Sequence, residues 1–242
     1  DSKDVRLRDV TTSYAVLAIA GPNSPRLLGA VTDADLSDDA FPPYRMRHTH
    51  IGHAPVFAQR LSFTGETGWE IFVTPDFAEH VLEIILKAGQ PLGLRLAGGE
   101  ALNALRIEKG FLHWGADMAY TEAPYQLGLD FICKPGKTLP FIGQDACLAR
   151  KADPKGPCLR SVRLADPDAI LHHNEPVLRD GQIIGFVTSG AFCAMQKAAV
   201  GLCLVSPPDR AGGFEAVDDG PCSVMVEGRE VPAELRRKPF GA

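Results

Sequence analysis

The stretch RLSFTGETGWEIFV, Arg60 to Val73, decides the fold. From Trp69 onward its residues alternate: Trp69, Ile71 and Val73 fall on one side, Glu70 and Phe72 on the other. That is the period of a β-strand with one face toward a core. Between Ala54 and Val73 two strand-like runs flank Thr64 to Gly68, which has the chemistry of a hairpin connection. Apolar Trp69, Ile71 and Val73 mark the core side, so Glu70 projects from the opposite face and Glu66 belongs to the turn. Glu70 then has two readings. It is a solvent-facing carboxylate, or it stands at the wall of a cleft. In a cleft a carboxylate can accept two N–H donors from a flat heterocycle with an amino-amidine edge, as guanine and pterin present. Spacing alone does not choose between them.

On the N-terminal side, YAVLAIAGPNSPRLLGAV reads as a buried strand, Tyr14 to Ala20, then a turn and a helix start with Ser24 as N-cap and Pro25 at the first helical position. On the C-terminal side, TPDFAEHVLEIILKAG reads as a helix with Thr74 as cap, Pro75 first and Gly89 as stop. Phe77, Val81, Ile84 and Ile85 share its apolar face. A further helix, Gly99 to Lys109, ends at Gly110. Strand, helix, hairpin, helix is an α+β pattern of antiparallel sheet backed by helices. After about Arg150 the composition changes. KADPKGP reads as a linker, followed by short β-rich runs at Leu159–Leu164, Gln182–Thr188, Ala198–Val205 and Cys222–Val226. Arg179-Asp180-Gly181 and Asp218-Asp219-Gly220 supply turns between them, the spacing of a small all-β barrel or sandwich. The expected division is residues 1–150 and 151–242.

The chain has 242 residues, 45% apolar and 23% charged, with a net charge of −5 and no long run of one sign. That balance gives no electrostatic footprint for nucleic acid or anionic lipid, and no apolar run approaches the roughly 18 residues of a membrane span. The six cysteines form no CxxC pair and read as reduced, small apolar residues, which points to a reducing compartment, cytoplasmic or the mitochondrial matrix. No GxGxxG or GxxxxGK[ST] occurs, so no dinucleotide or nucleotide phosphate site is signalled. In HTHIGH, a strand would put His48 and His50 on one side and His53 elsewhere, so no metal site is expected there. Ser189 in VTSGAF lacks a nucleophile elbow and reads as a structural turn residue. Arg106 and Asn103 are three apart on their helix and share a face, as do Leu102 and Leu105, while Glu108 and Lys109 read as surface charges. Past Gly110 come His113, Trp114 and Asp117; Trp114 is either a pocket aromatic or core.

Taken together, LSFTGETGWEIFV, GGEALNALRIEKGFLHWGADM, APYQLGLDF, FIGQDACL and DGQIIGFVTSGAF resemble the aminomethyltransferase (glycine-cleavage T-protein) family, in that family's order and over nearly the whole chain. DADLSDDAFP and LRIEKGFLHWGADM look more like the folate-binding C-terminal half of sarcosine and dimethylglycine dehydrogenases. The resemblance implies a ferredoxin-like α+β region followed by a C-terminal β-barrel. It also implies binding of tetrahydrofolate, which accepts a one-carbon unit derived from a small N-methyl amine. The family's pterin-binding glutamate falls on Glu70. The aromatic seven residues earlier, commonly tyrosine, is Phe63 here, and Trp114 and Arg106 complete the expected folate-binding set. FAD would belong to a separate, upstream flavoprotein domain or subunit. The aspartate that assists folate during transfer in the family lies before the point matched by Asp1, so this chain is expected not to catalyse alone and no catalytic residue is assigned. The competing expectations are a non-catalytic folate-family binding or assembly module, and a truncated free-standing aminomethyltransferase.

Overall fold

The computed structural model describes residues 4–134, 136, 139–152, 156–206, 217 and 220–241. Two compact units meet in sequence between Ala97 and Gly98.

The first unit is an antiparallel sheet with helices on one face. Its elements are β1 (Ala15–Ala20), α1 (Ser24–Gly29), β2 (Met46–Ile51), β3 (Ala54–Gln59), β4 (Gly68–Val73) and α2 (Pro75–Gly89), with strand order β1-β4-β3-β2. Ile19, Val56, Ala58, Trp69, Ile71 and Val73 point to the covered side, where Leu27 and Leu28 of α1 and Val81 and Ile85 of α2 pack on them. The alternation seen in β4 is therefore real: its odd members are buried, whereas Glu70 and Phe72 are half-buried on the open side. Gly68 is required at the strand entry, because a Cβ there would lie 2.5 Å from the Ile19 carbonyl oxygen.

The hairpin joining β3 and β4 has a long connection. The tight one lies earlier: Ile51 pairs with Ala54 across the two-residue turn Gly52-His53, with Gly52 at φ +59°. Ser24 does not cap α1. It is the first helical residue and its hydroxyl donates to the Gly21 and Thr67 carbonyls, both at 2.7 Å, tying the helix start to the β4 entry. Thr74 occupies the cap position of α2 without a side-chain hydrogen bond to it, and the helix ends at Gly89 as its glycine predicts.

The second unit opens with α3 (Gly99–Glu108) and α4 (Gln144–Ala152), then β5 (Cys158–Leu164), β6 (Pro176–Arg179), β7 (Gln182–Cys193), β8 (Ala198–Val205), β9 (Cys222–Val226) and β10 (Arg229–Arg236). The six strands close into a barrel in the order β10-β5-β8-β7-β6-β9. Its interior holds Val162, Leu164, Leu171, Val177, Val187, Cys203, Val205, Val224 and Val231. The fold class read from the sequence, an antiparallel sheet with helices followed by a small barrel, is the one observed.

Local differences have local causes. The strand expected to stop at Thr188 continues to Cys193, because a β-bulge between Val187 and Ser189 interrupts the alternation without ending the pairing. Ser189 is thus a strand residue, not a turn residue. Two strands, β6 and β10, were not anticipated. Asp180 and Gly181, at φ +50° and +74°, form the expected turn between β6 and β7. Lys151 and Ala152 of the expected linker close α4, whereas its Asp153–Lys155 and the turn residues Asp218 and Asp219 lie outside the described residues.

On α3 Glu108, read from the sequence as a surface charge, is buried, and Lys109 is half-buried. Leu102 and Leu105 are exposed, while Arg106, Ile107 and Glu108 are buried. A strap formed by the segment after β10 covers Glu108, while Arg106 is buried against Asp117 and Ser189 and Ile107 packs on Cys193, Val200, Leu202 and Phe240. Gly241 N–H donates to the Glu108 carbonyl at 2.9 Å and Lys109 Nζ donates to the Gly241 carbonyl at 3.0 Å. Gln196 Nε2 holds the Phe240 carbonyl at 2.9 Å, and the Arg236 guanidinium lies 3.7 Å from the centre of the Phe240 ring. Glu108 is therefore not a surface charge. No helix among the described residues is long and apolar enough to cross a membrane.

Candidate functional site

The first unit carries Glu70 and Phe63. Glu70 stands between two neighbours on the open sheet face, Ala18 of β1 and Gln59 of β3, since directly paired residues share a face. Two residues on, Phe72 pairs with Val16 on one side and Phe57 on the other. Tyr14 meets Phe57 edge-on at 5.6 Å and the His48 ring lies 4.0 Å from it. The open face is thus an apolar, aromatic platform with a single half-buried carboxylate beside it. Among the described residues the Glu70 carboxylate has no hydrogen-bond or ion-pair partner. A half-buried carboxylate with free lone pairs on a flat apolar surface is the donor-seeking arrangement that a planar heterocycle with adjacent N–H groups satisfies.

Phe63 is half-buried in the connection before β4, next to the Ser62–Thr64 hydroxyl pair at 2.9 Å. Glu66 is exposed, with its backbone N–H directed at Thr64 Oγ at 3.4 Å, as a turn residue should be. The histidines of HTHIGH separate as the strand period predicts. His48 packs on Phe57, and His53 stacks instead on His80, with ring centres 5.9 Å apart.

The second unit carries Arg106 and Trp114. Arg106 is 3% exposed and its guanidinium is almost fully engaged. Nε donates to Asn103 at 2.9 Å, confirming the shared helix face; one terminal nitrogen donates to the Phe111 carbonyl at 3.1 Å and to Asp117, and the other to Ser189 Oγ at 2.6 Å. Asp117 is fully buried and also accepts His113 N–H at 2.9 Å, Thr188 Oγ at 2.6 Å and Ser189 Oγ at 2.7 Å. Consecutive strand residues ordinarily face opposite ways; the bulge in β7 is what lets Thr188 and Ser189 both reach one carboxylate oxygen.

The network folds residues 113–118 into a tight turn, with Gly115 N–H donating to the Met118 carbonyl at 2.8 Å and Asp117 N–H to the His113 carbonyl at 2.9 Å. Trp114 projects from that turn, 63% exposed, so it is not a core residue. Gly115, Ala116 and Thr188 wall an open cavity of about 800 Å³ in this unit. Sequence reasoning placed Asp117 past the Gly110 break but not its role. Its partners on β7 are 71 and 72 residues away, and nothing local signals them.

Comparison with known proteins divides the chain later than the boundary at Ala97 and Gly98, so that Arg106 and Trp114 fall with Glu70 in the N-terminal match. Residues 1–137 match the family profile described as the GCVT N-terminal domain, and residues 158–241 match the glycine cleavage T-protein C-terminal barrel domain. A 4-methylaminobutanoate oxidase (formaldehyde-forming) of Paenarthrobacter nicotinovorans is 38% identical over 96% of this chain and 27% of its own length. Mitochondrial dimethylglycine dehydrogenase of Rattus norvegicus is 39% identical over 98% of this chain and 27% of its own. An aminomethyltransferase of Streptomyces coelicolor is 30% identical over 98% of this chain and 62% of its own. The chain therefore spans about a quarter of the length of the first two relatives. Among solved structures, the glycine cleavage system aminomethyltransferase T from Bartonella henselae matches with a TM-score of 0.77 at 21% identity, over 94% of this chain and 59% of that one, a likeness of fold.

Proposed function

Because this chain belongs to the aminomethyltransferase (glycine-cleavage T-protein) family, we propose that it is a tetrahydrofolate-binding, one-carbon-transfer module of a sarcosine- or dimethylglycine-dehydrogenase-like flavoprotein. The observation that carries this is Glu70: a half-buried carboxylate with no protein partner among the described residues, beside an aromatic platform. Its two oxygens accept the paired N–H donors of the pterin edge, and the charge-assisted bonds fix the ring's orientation in its plane. Phe63 supplies an apolar wall. The family resemblance also assigns Trp114, exposed on its turn, to folate binding. Arg106 enters as a positioning residue, since its guanidinium is committed to the network that shapes the Trp114 turn.

Tetrahydrofolate, when bound, supplies the nitrogens that accept the one-carbon unit. These residues bind and orient it, and the donor is a small N-methyl amine derivative. Proton handling at the reacting nitrogens is not assigned to any residue of this chain. FAD belongs in this proposal to a separate flavoprotein domain or subunit, and the whole works in the cytoplasm or the mitochondrial matrix. The functional division of the chain is kept at about residue 150, shortly before β5 begins the barrel at Cys158.

Calorimetric titration with tetrahydrofolate tests the proposal. Wild type is expected to bind in the micromolar range, and Glu70→Ala to weaken binding by about tenfold or more, roughly 1.4 kcal/mol, with an unchanged melting temperature. Wild-type protein that shows no heat of binding at high folate concentration would sink it.

A further inference from the structure

Glu70 has a polar neighbour on the open face of the first sheet. Gln59 of β3 pairs with it directly, and the row across the sheet at that level runs Ala18, Glu70, Gln59, Met46. The adjoining row runs Val16, Phe72, Phe57, His48. One carboxylate and one primary amide therefore stand side by side, with a methyl group on one flank, a thioether on the other and two phenyl rings in the next row. Gln59 is half-buried, and among the described residues its side-chain amide has no hydrogen-bond partner. Backbone pairing fixes the spacing of the two groups. Gly21 N–H donates to the Thr67 carbonyl at 3.0 Å, so the alternation of an antiparallel ladder makes Ile19–Trp69 and Leu17–Ile71 the bonded pairs of β1 and β4. Glu70 then turns its own N–H and C=O toward Gln59. A bonded pair of this kind sets its Cα atoms about 5.5 Å apart with both side chains on one face.

Resting on the folate reading of this face, we infer that Gln59 is a specificity-determining residue of the same site: its amide reads the 4-oxo group of the pterin beside the two N–H groups that Glu70 holds. A pterin presents its 2-amino N–H, N3–H and C4 carbonyl in succession along one edge. The carboxylate accepts from the first two, and Gln59 Nε2–H donates to the third. A carboxylate alone accepts from any heterocycle with two adjacent N–H groups. A donor fixed next to it adds the demand for a carbonyl at the following position, because a ring without one leaves the amide unpaired on losing water. Ala18, on the other side of Glu70, offers only a methyl group. The polar pattern thus runs one way along the row and gives the ring one orientation in its plane.

The test is calorimetric titration of tetrahydrofolate into the intact chain and two variants of nearly the same shape, Gln59→Met and Gln59→Glu. Gln59→Met keeps the length and removes the donor, and affinity is expected to fall about three- to tenfold, the worth of one net hydrogen bond. Gln59→Glu sets a charged acceptor against the 4-oxo group, and a loss of more than about tenfold is expected. Both variants should melt with wild type, since the amide holds nothing in the free protein. NMR gives a direct readout on wild type: one Nε2–H resonance of Gln59 should move downfield as tetrahydrofolate is added, and this decides the matter if a variant melts low. Full affinity in Gln59→Met, or a Gln59 amide unmoved at saturation, would overturn the inference; if Glu70→Ala still loses binding, the folate reading stands without it. Wild type that takes up no tetrahydrofolate would overturn both.

Discussion

Asp117 is the residue whose loss should be most costly in the second unit. It is fully buried, its partner Arg106 has a side chain 4% exposed, and it gathers one guanidinium, one backbone N–H and two hydroxyls. In Asp117→Ala the Arg106 charge stays buried without its counter-ion. Breaking a buried pair by removing one partner costs about 3–5 kcal/mol. Asp117→Asn keeps the shape, and Thr188 and Ser189 can turn their hydroxyls to accept from the new amide. The charge is still uncompensated, so about 2–3 kcal/mol is expected. A double variant, Arg106→Met with Asp117→Leu, removes both charges and should cost less than Asp117→Ala alone. Urea unfolding followed by circular dichroism measures the totals. Hydrogen exchange on peptides from residues 99–118 and 182–193 assigns them, because both ends of the network should lose protection together. A cost below about 1 kcal/mol for Asp117→Ala, or a double variant worse than the single, would refute the reasoning.

Two further outcomes follow from specific contacts. Phe63→Tyr adds a hydroxyl beside the proposed folate surface and should tighten tetrahydrofolate binding by roughly two- to tenfold, the worth of one net hydrogen bond, as read by the same titration; unchanged affinity would remove Phe63 from the binding set. In the barrel, Gly185 faces the paired β8 backbone so closely that a Cβ would lie 2.1 Å from the Leu204 carbonyl oxygen. Gly185→Ala should therefore cost about 1–3 kcal/mol or more in urea unfolding, whereas Gly99→Ala, with open space around it, should cost nothing.

What could be read from the sequence was what local period encodes. The alternation of Trp69, Glu70, Ile71, Phe72 and Val73 fixed both a strand and the face that carries Glu70, because side-chain direction in a strand depends only on parity. The apolar stripe of α2 was legible for the same reason at a different period, with Val81 and Ile85 buried as expected. The reading failed where parity itself breaks. At Thr188 one extra residue shifts the phase of β7, so an alternation-based reading stops there and takes Ser189 for a turn. It also failed where a partner is remote. Glu108 looks like a surface charge until the strap beyond β10 covers it, and Arg106 looks available until Asp117 and Ser189 are seen to hold it. That Glu70 has no hydrogen-bond or ion-pair partner among the described residues was not legible at all, since the lack of a partner leaves no mark on the sequence.

The strap across α3 sets an order of events during synthesis. The bond from Lys109 to the Gly241 carbonyl joins residues 132 positions apart, and the β5–β10 pairing that closes the barrel brings Val162 to Leu235. A ribosome adding about 5–20 residues per second leaves the end of α3 waiting roughly 7–26 s for its covering segment. Through that interval Glu108 lacks its covering segment, and until β10 is made neither edge of the future barrel has its last strand. The second unit thus reaches its native contacts only once the segment after β10 has been made. The first unit, whose pairings all lie within residues 15–73, can form its sheet while the rest of the chain is still being made.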